Sequence, residues 1–166
     1  MKVTVGILAS FVMFLTMTAF ASAQQQAAPM DEQALKTEVN AFMDNYWRLW
    51  SAGDIDQLAA QIYHPFGQLS NAGHSSVEQL KSNFPQSRKT MLAGGYGRSQ
   101  MPMAGRNVCI LAPNVAVVSG RGFRYLTDGK VMGEYGWTYT LIKNATTGWR
   151  MVSIYSHDPN KALTCR

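Results

Sequence analysis

The spacing of apolar positions along this chain changes period once, and the change divides the fold. Leu35, Val39, Phe42, Met43, Tyr46, Leu49 and Trp50 recur three and four apart, the signature of an amphipathic helix with one buried face. Asp31 stands where a carboxylate caps the free backbone N–H groups of such a helix. The predicted helix is roughly 20 residues and about 30 Å long. Its Phe42, Tyr46 and Trp50 stripe suits a helix lying across a sheet. Gly53 fits the left-handed C-terminus and Asp54 caps a short second helix, so the chain turns back at Ala52–Asp54. Tyr63-His64-Pro65 then launches a short strand, Pro65–Asn71, closed by the turn residues Asn71-Ala72-Gly73. Ser75 or Ser76 caps a third helix carrying Val77, Leu80 and Phe84 in register, with Glu78 in its first turn. Pro85 is expected to perturb that helix, and Gly94-Gly95 to end it.

From Tyr96 onward the period is two. Strands are predicted over Tyr96–Leu111, Val115–Leu126, Val131–Ile142 and Trp149–His157, separated by Pro113-Asn114, Thr127–Lys130 and Asn144–Gly148. Three helices followed by an antiparallel meander indicate an α+β domain with the helices on one face of a curved sheet.

The N-terminus reads as a targeting segment. Lys2 is followed by the apolar run Val3–Met17, then Ala21-Ser22-Ala23 as a small-residue cleavage site. The run is short for a membrane span, which disfavours the competing reading of an uncleaved anchor. The organisation is therefore a signal peptide over 1–23, a polar leader over 24–30, one domain over 31–158 and a tail over 159–166, with a periplasmic or secreted destination and no stable membrane anchor after cleavage. Formal net charge is +5, but the basic residues are scattered and do not interleave with aromatics as a nucleic-acid groove requires. Two cysteines, Cys109 and Cys165, lack metal-ligand spacing, and an exported chain makes one disulfide between them the natural expectation, within or between chains.

The order helix, Gly-Asp, helix, Tyr-His-Pro, short strand, helix and four long strands ending in Gly-Trp-Arg-Met-Val resembles the nuclear transport factor 2-like superfamily, nearest its secreted SnoaL-like or DUF4440-type proteins. The resemblance covers the whole mature chain. It implies a cone, a curved sheet wrapped around the long helix with a pocket at the wide end. It spans isomerases, cyclases, dehydratases, ligand-binding proteins and assembly modules. Against ketosteroid isomerase, Tyr46 matches the tyrosine that polarises a carbonyl. The regions matching the two carboxylates hold Leu69–Ala72 and Trp137-Thr138, without an acid, and amides and hydroxyls do not abstract a carbon-bound proton near neutral pH.

The resemblance therefore implies a pocket for a small, partly apolar molecule, with Phe42, Tyr46, Trp50, Tyr63, Asn71, Thr138 and Ile154 as binding residues. The remaining candidates for chemistry are His64, His157 and Asp158. A metal site from His64, His74 and His157 has no spacing to support it, and no motif calls for a cofactor. Enzyme action on a carbonyl compound and a non-enzymatic dimerisation module are the rival readings. Trp137, Tyr139, Trp149 and Tyr155 alternate on the last two strands and are assigned to an outer face that pairs two subunits, since a soluble monomer rarely exposes so large an aromatic patch. A one-residue slip in register would reverse the two faces.

The targeting reading predicts that exported protein begins at Gln24. Intact-mass measurement of protein recovered from the periplasm or the medium checks this, and a mass that still includes Met1–Ala23 refutes it.

Overall fold

The computed structural model describes residues 31–68 and 76–165. The segments read as signal peptide and leader, together with Asn71 and His74, lie outside the described residues. The first helix, α1, spans Glu32–Ala52, and Asp31 caps it by accepting from the Ala34 N–H at 2.9 Å. Gly53 ends it at φ 77°, a left-handed conformation that glycine takes at little cost. Asp54 caps the short α2, Ile55–Gln57, which widens into a single π turn at Leu58–Ile62. The strand β1, Tyr63–Gln68, follows, then α3, Val77–Ala93, capped by Ser76. α3 runs unbroken through Pro85. Pro85 and Lys81, whose carbonyl loses its partner, are both exposed, so the missing bond is tolerated.

The predicted strand Tyr96–Leu111 is two strands. β2, Tyr96–Gln100, stops before Pro102, which has no N–H to give, and a tight turn at Met103–Gly105 leads into β3, Arg106–Ala112. Both pair with β4, Val115–Leu126. β5, Val131–Asn144, and β6, Gly148–His157, complete a sheet of order β1-β6-β5-β4-β2, with β3 beside β4. The sheet is mixed rather than purely antiparallel, because β1 pairs with β6 in parallel. The architecture is the expected α+β arrangement of three helices and a curved sheet.

α1 lies in the hollow of that sheet and buries Val39, Met43, Tyr46, Trp47 and Leu49. Two polar contacts fix its angle. Arg106, its side chain 2% exposed, donates to the Asn40 carbonyl and amide oxygen, to Asp44 at 2.7 Å and to the Met101 carbonyl at 2.7 Å. At the other end of the sheet, Glu38 accepts from Lys143 at 2.5 Å and from the Trp149 indole at 3.0 Å.

The aromatic residues assigned to an outer dimer face are mostly core. Trp137, Tyr139 and Trp149 are 7, 0 and 6% exposed and pack against α1. Only Tyr155, at 44%, faces outward. A bulge causes the split: Thr140 pairs with Ser153 and Leu141 with Met151, so Val152 is an extra residue on β6. Past it the alternation inverts. Trp149, Met151 and Ile154 point in, while Tyr155 and His157 point out with Thr138.

The C-terminal tail returns over the outer face. The Leu163 N–H donates to Ser119 Oγ at 2.9 Å, and Cys165 is bonded to Cys109 of β3, within one chain, across 56 residues of sequence. Closing a loop of that length restricts the unfolded chain, and a native disulfide of this kind typically contributes about 2–5 kcal/mol. Cys109→Ser is expected to lower stability in urea by an amount in that range, and reductant should then have no further effect. Equal unfolding midpoints for the variant and the oxidised protein would contradict this.

Candidate functional site

The inner face of the sheet gathers aromatic side chains around the C-terminal half of α1. Tyr46 packs on Trp47 at 4.6 Å between ring centroids, on Tyr139 at 5.6 Å, on Trp50 at 6.2 Å and on Tyr63 at 6.4 Å. Trp47 packs on Trp137 at 5.1 Å, and Trp137 stacks on Tyr135 at 5.1 Å with planes 14° apart. The Trp137 ring lies on Gly122 of β4, where a Cβ would collide with it, so glycine is what allows the indole to lie flat on the strand. Arg124, two residues on, holds its guanidinium over the Tyr135 ring at 4.6 Å, within cation–π range.

Polar atoms in this cluster lack partners. The hydroxyls of Tyr63 and Tyr139, the Trp47 indole nitrogen and Arg124 Nε are all buried without a hydrogen bond. The two hydroxyls lie beside that of Tyr46 and act on it as hydrogen-bonding neighbours, though neither meets the geometry of a full hydrogen bond. Burial pushes the Tyr46 phenol well above the usual phenol range, with the neighbouring hydroxyls and the positive charge of Arg124 pulling the other way. Burial likewise raises Tyr63 and Tyr139, and Tyr46 beside them adds to the rise. The three phenols are therefore neutral at physiological pH. Among the described residues no carboxylate pairs with Arg124.

The sequence-derived site residues divide between the two faces. Tyr46, Tyr63 and Ile154 are buried on the inner side, with Phe42 and Trp50 half-buried beside them; Trp50 meets Phe84 of α3 at 5.4 Å. Thr138 is on the outer face, where it joins a hydrogen-bond chain that includes His157. His157 Nδ1 faces the Asp158 carbonyl at 2.7 Å and must donate to it, so in the neutral imidazole Nε2 accepts from the Thr138 hydroxyl at 3.0 Å. Thr138 then accepts from Ser119 at 2.7 Å, and Ser119 from Leu163 N–H. Asp158 is occupied as a cap, accepting from the Asn160 N–H at 2.8 Å. His157 and Asp158 thus hold the tail and stand apart from the inner aromatic cluster. His64 is on β1, its Nδ1 accepting from the Phe66 N–H at 3.2 Å.

Trp47, Arg124, Tyr135, Trp137 and Tyr139 complete the inner cluster and were not among the residues expected there. Trp47 stands four after Met43 and three before Trp50, so the helical spacing could have found it. The β5 aromatics had the right alternation and the opposite face. Among the described residues no group of three His, Cys, Asp or Glu side chains is placed to hold a metal ion, and no helix is long and apolar enough to cross a membrane.

Residues 37–159 match the family described as NTF2-like protein (DUF6841), and the chain belongs to that family. Solved structures agree on the fold. An NTF2-like superfamily protein from Salmonella enterica serovar Typhimurium superposes with a TM-score of 0.57 at 18% identity, over 76% of this chain and 92% of that one. Aln2 from a Streptomyces species gives 0.63 at 14% identity, over 76% and 92%. ActVI-ORFA from Streptomyces coelicolor gives 0.60 at 11% identity, over 75% and 95%. No curated protein matches the sequence.

The buried phenols give a pH dependence with a definite sign. Unfolded tyrosines release their protons near about pH 10, while the folded ones hold theirs to higher pH. Their contribution is fully present below that pH and is lost as pH rises beyond it. Tyr139→Phe removes a hydroxyl without a partner, so neutral-pH stability should be unchanged or slightly higher and the alkaline decline shallower. Thermal unfolding across the alkaline range checks this; a variant markedly less stable at neutral pH would show that the hydroxyl is bonded after all.

Proposed function

We propose that this exported NTF2-like domain binds a small, partly apolar molecule against the inner aromatic cluster and does not transform it. The observation that carries the reading is the set of buried, unpartnered polar atoms on Trp47, Tyr63, Tyr139 and Arg124. Native proteins rarely leave such groups unpaired, because each costs roughly 1–3 kcal/mol when it is desolvated without a partner. Two of the four, the indole and the guanidinium N–H, can only donate, so the complementary molecule carries an acceptor such as a carbonyl or carboxylate oxygen. The aromatic walls supply contact area for an apolar body, as in small-molecule sites generally. The disulfide and the N-terminal sequence pattern support export.

Among the described residues this cluster offers no base for proton abstraction, its ionisable members being neutral phenols and a guanidinium. Crystals soaked with aryl ketone and aryl carboxylate fragments test the reading directly. Bound fragments should place an oxygen near Arg124 or Tyr46, and Tyr46→Phe should weaken binding by about 0.5–1.5 kcal/mol, the size of one hydrogen bond, with no turnover in either protein. A histidine or Asp158 found within hydrogen-bond reach of a fragment C–H beside its carbonyl, together with an alanine variant there that keeps affinity and loses turnover, would overturn it.

A further inference from the structure

A second recess lies at the edge of the sheet, where the π turn, the start of β1 and the β5–β6 hairpin meet. Its volume is about 250 Å³, and Ala59, Ala60 and Pro65 give it an apolar floor. Tyr63, shared with the inner cluster, lines it too, and the other polar side chains around it are His64, Asn144, Thr147 and Arg150. The hydrogen bonds already made by three of them leave donors in excess. Asn144 Oδ1 accepts from the Thr147 N–H at 2.8 Å, the Thr147 hydroxyl at 2.6 Å and the Thr146 hydroxyl at 3.3 Å, so what remains on that side chain is its NH2 group. His64 Nδ1 accepts from the Phe66 N–H, which puts the ring hydrogen on Nε2. Arg150 donates one nitrogen to the Gln61 carbonyl of the π turn, which anchors the guanidinium, and among the described residues no carboxylate pairs with it. Partial burial lowers the Arg150 pKa, the mark of a cation deprived of some of its water.

We propose that this recess is a binding site for a small organic carboxylate, adjoining the inner aromatic cluster at Tyr63 and distinct from it in its donors. The carboxylate takes the guanidinium fork of Arg150, with the Asn144 amide and His64 Nε2–H as further donors, and the organic body lies on Ala59, Ala60 and Pro65. A planar carboxylate suits a guanidinium because two parallel N–H bonds can form at once. The volume is below the range of drug-sized pockets, which limits the body to about one ring or a short chain. A cation site would carry an acidic side chain, and among the described lining residues there is none.

Benzoate, its uncharged isostere benzamide, and inorganic phosphate are the probes, followed by backbone amide shifts in NMR on the full mature chain. Benzoate should give saturable shifts at Tyr63, His64 and residues 144–150, benzamide should give none, and phosphate should bind more weakly than benzoate for want of the apolar floor. Arg150→Gln should weaken benzoate by about tenfold or more, the loss that follows removal of a charge-assisted hydrogen bond. Asn144→Asp keeps the oxygen that organises the hairpin turn and replaces the amide donor with a negative charge. It should therefore retain the melting temperature of the parent and lose benzoate binding. The proposal is overturned if benzoate gives no saturable shift at these residues, if benzamide or phosphate binds as well as benzoate, or if a folded Asn144→Asp protein binds benzoate undiminished.

Discussion

The fold depends on how closely α1 can settle into the sheet, and that is decided where Trp47 meets Trp137 and Tyr139. Two indoles and a phenol are bulky, and they fit beneath a helix only if the strand behind them gives room. Gly122 provides it by letting the Trp137 ring lie on the β4 backbone. With that contact made, Met43, Tyr46 and Leu49 reach the sheet on the same side of the helix, and the buried Arg106 ties the outer edge of α1 to the turn between β2 and β3. A side chain at position 122 would push the indole off the sheet and move the helix with it. Overpacking of this sort typically costs about 1–3 kcal/mol.

The same contact explains which parts of the fold were legible in the sequence. Helix ends were readable because the capping residues Asp31, Gly53, Asp54 and Ser76 act locally, through their own side chains or backbone conformations. Strand extents from Val115 onward were readable from alternation. What alternation could not reveal is which set of residues faces α1, since that is a property of the partner and not of the strand. The bulge at Val152 adds a second ambiguity: Trp149 and Tyr155 share a parity and point to opposite faces. The parallel pairing of β1 with β6 was likewise hidden, because nothing local in Tyr63–Gln68 names its neighbour.

The partners of the candidate residues were hidden for the same reason. His157 and Asp158 were each candidates for chemistry at the end of the last strand. In three dimensions they belong to a chain of hydrogen bonds, from Leu163 through Ser119 and Thr138 to the Asp158 carbonyl, in which each donor already has an acceptor. Its position over the outer sheet face, beside the Cys109–Cys165 bond, makes it a fastening for the tail. Thr138 was expected within the pocket and is spent on this fastening. The inner face keeps the residues that α1 contributes, Tyr46 above all.

The full chain has 15 lysines and arginines against 10 aspartates and glutamates, so some cations must go without a partner. On an open surface that costs almost nothing, because water solvates the charge. Arg106 and Arg121 are matched with Asp44 and Glu134, whereas Arg124 and Arg150 have no carboxylate among the described residues. Arg124 is set against an aromatic ring with its Nε buried, and Arg150 is partly desolvated against the π turn. A cation held in such a place without a counter-charge lowers stability unless something supplies the missing acceptor. Placing them there is physically reasonable if the acceptor arrives from outside, which turns a structural cost into selectivity for electron-rich ligands. Beside Arg124 the described residues supply donors that stabilise negative charge and no base to create it, which suits recognition better than proton abstraction.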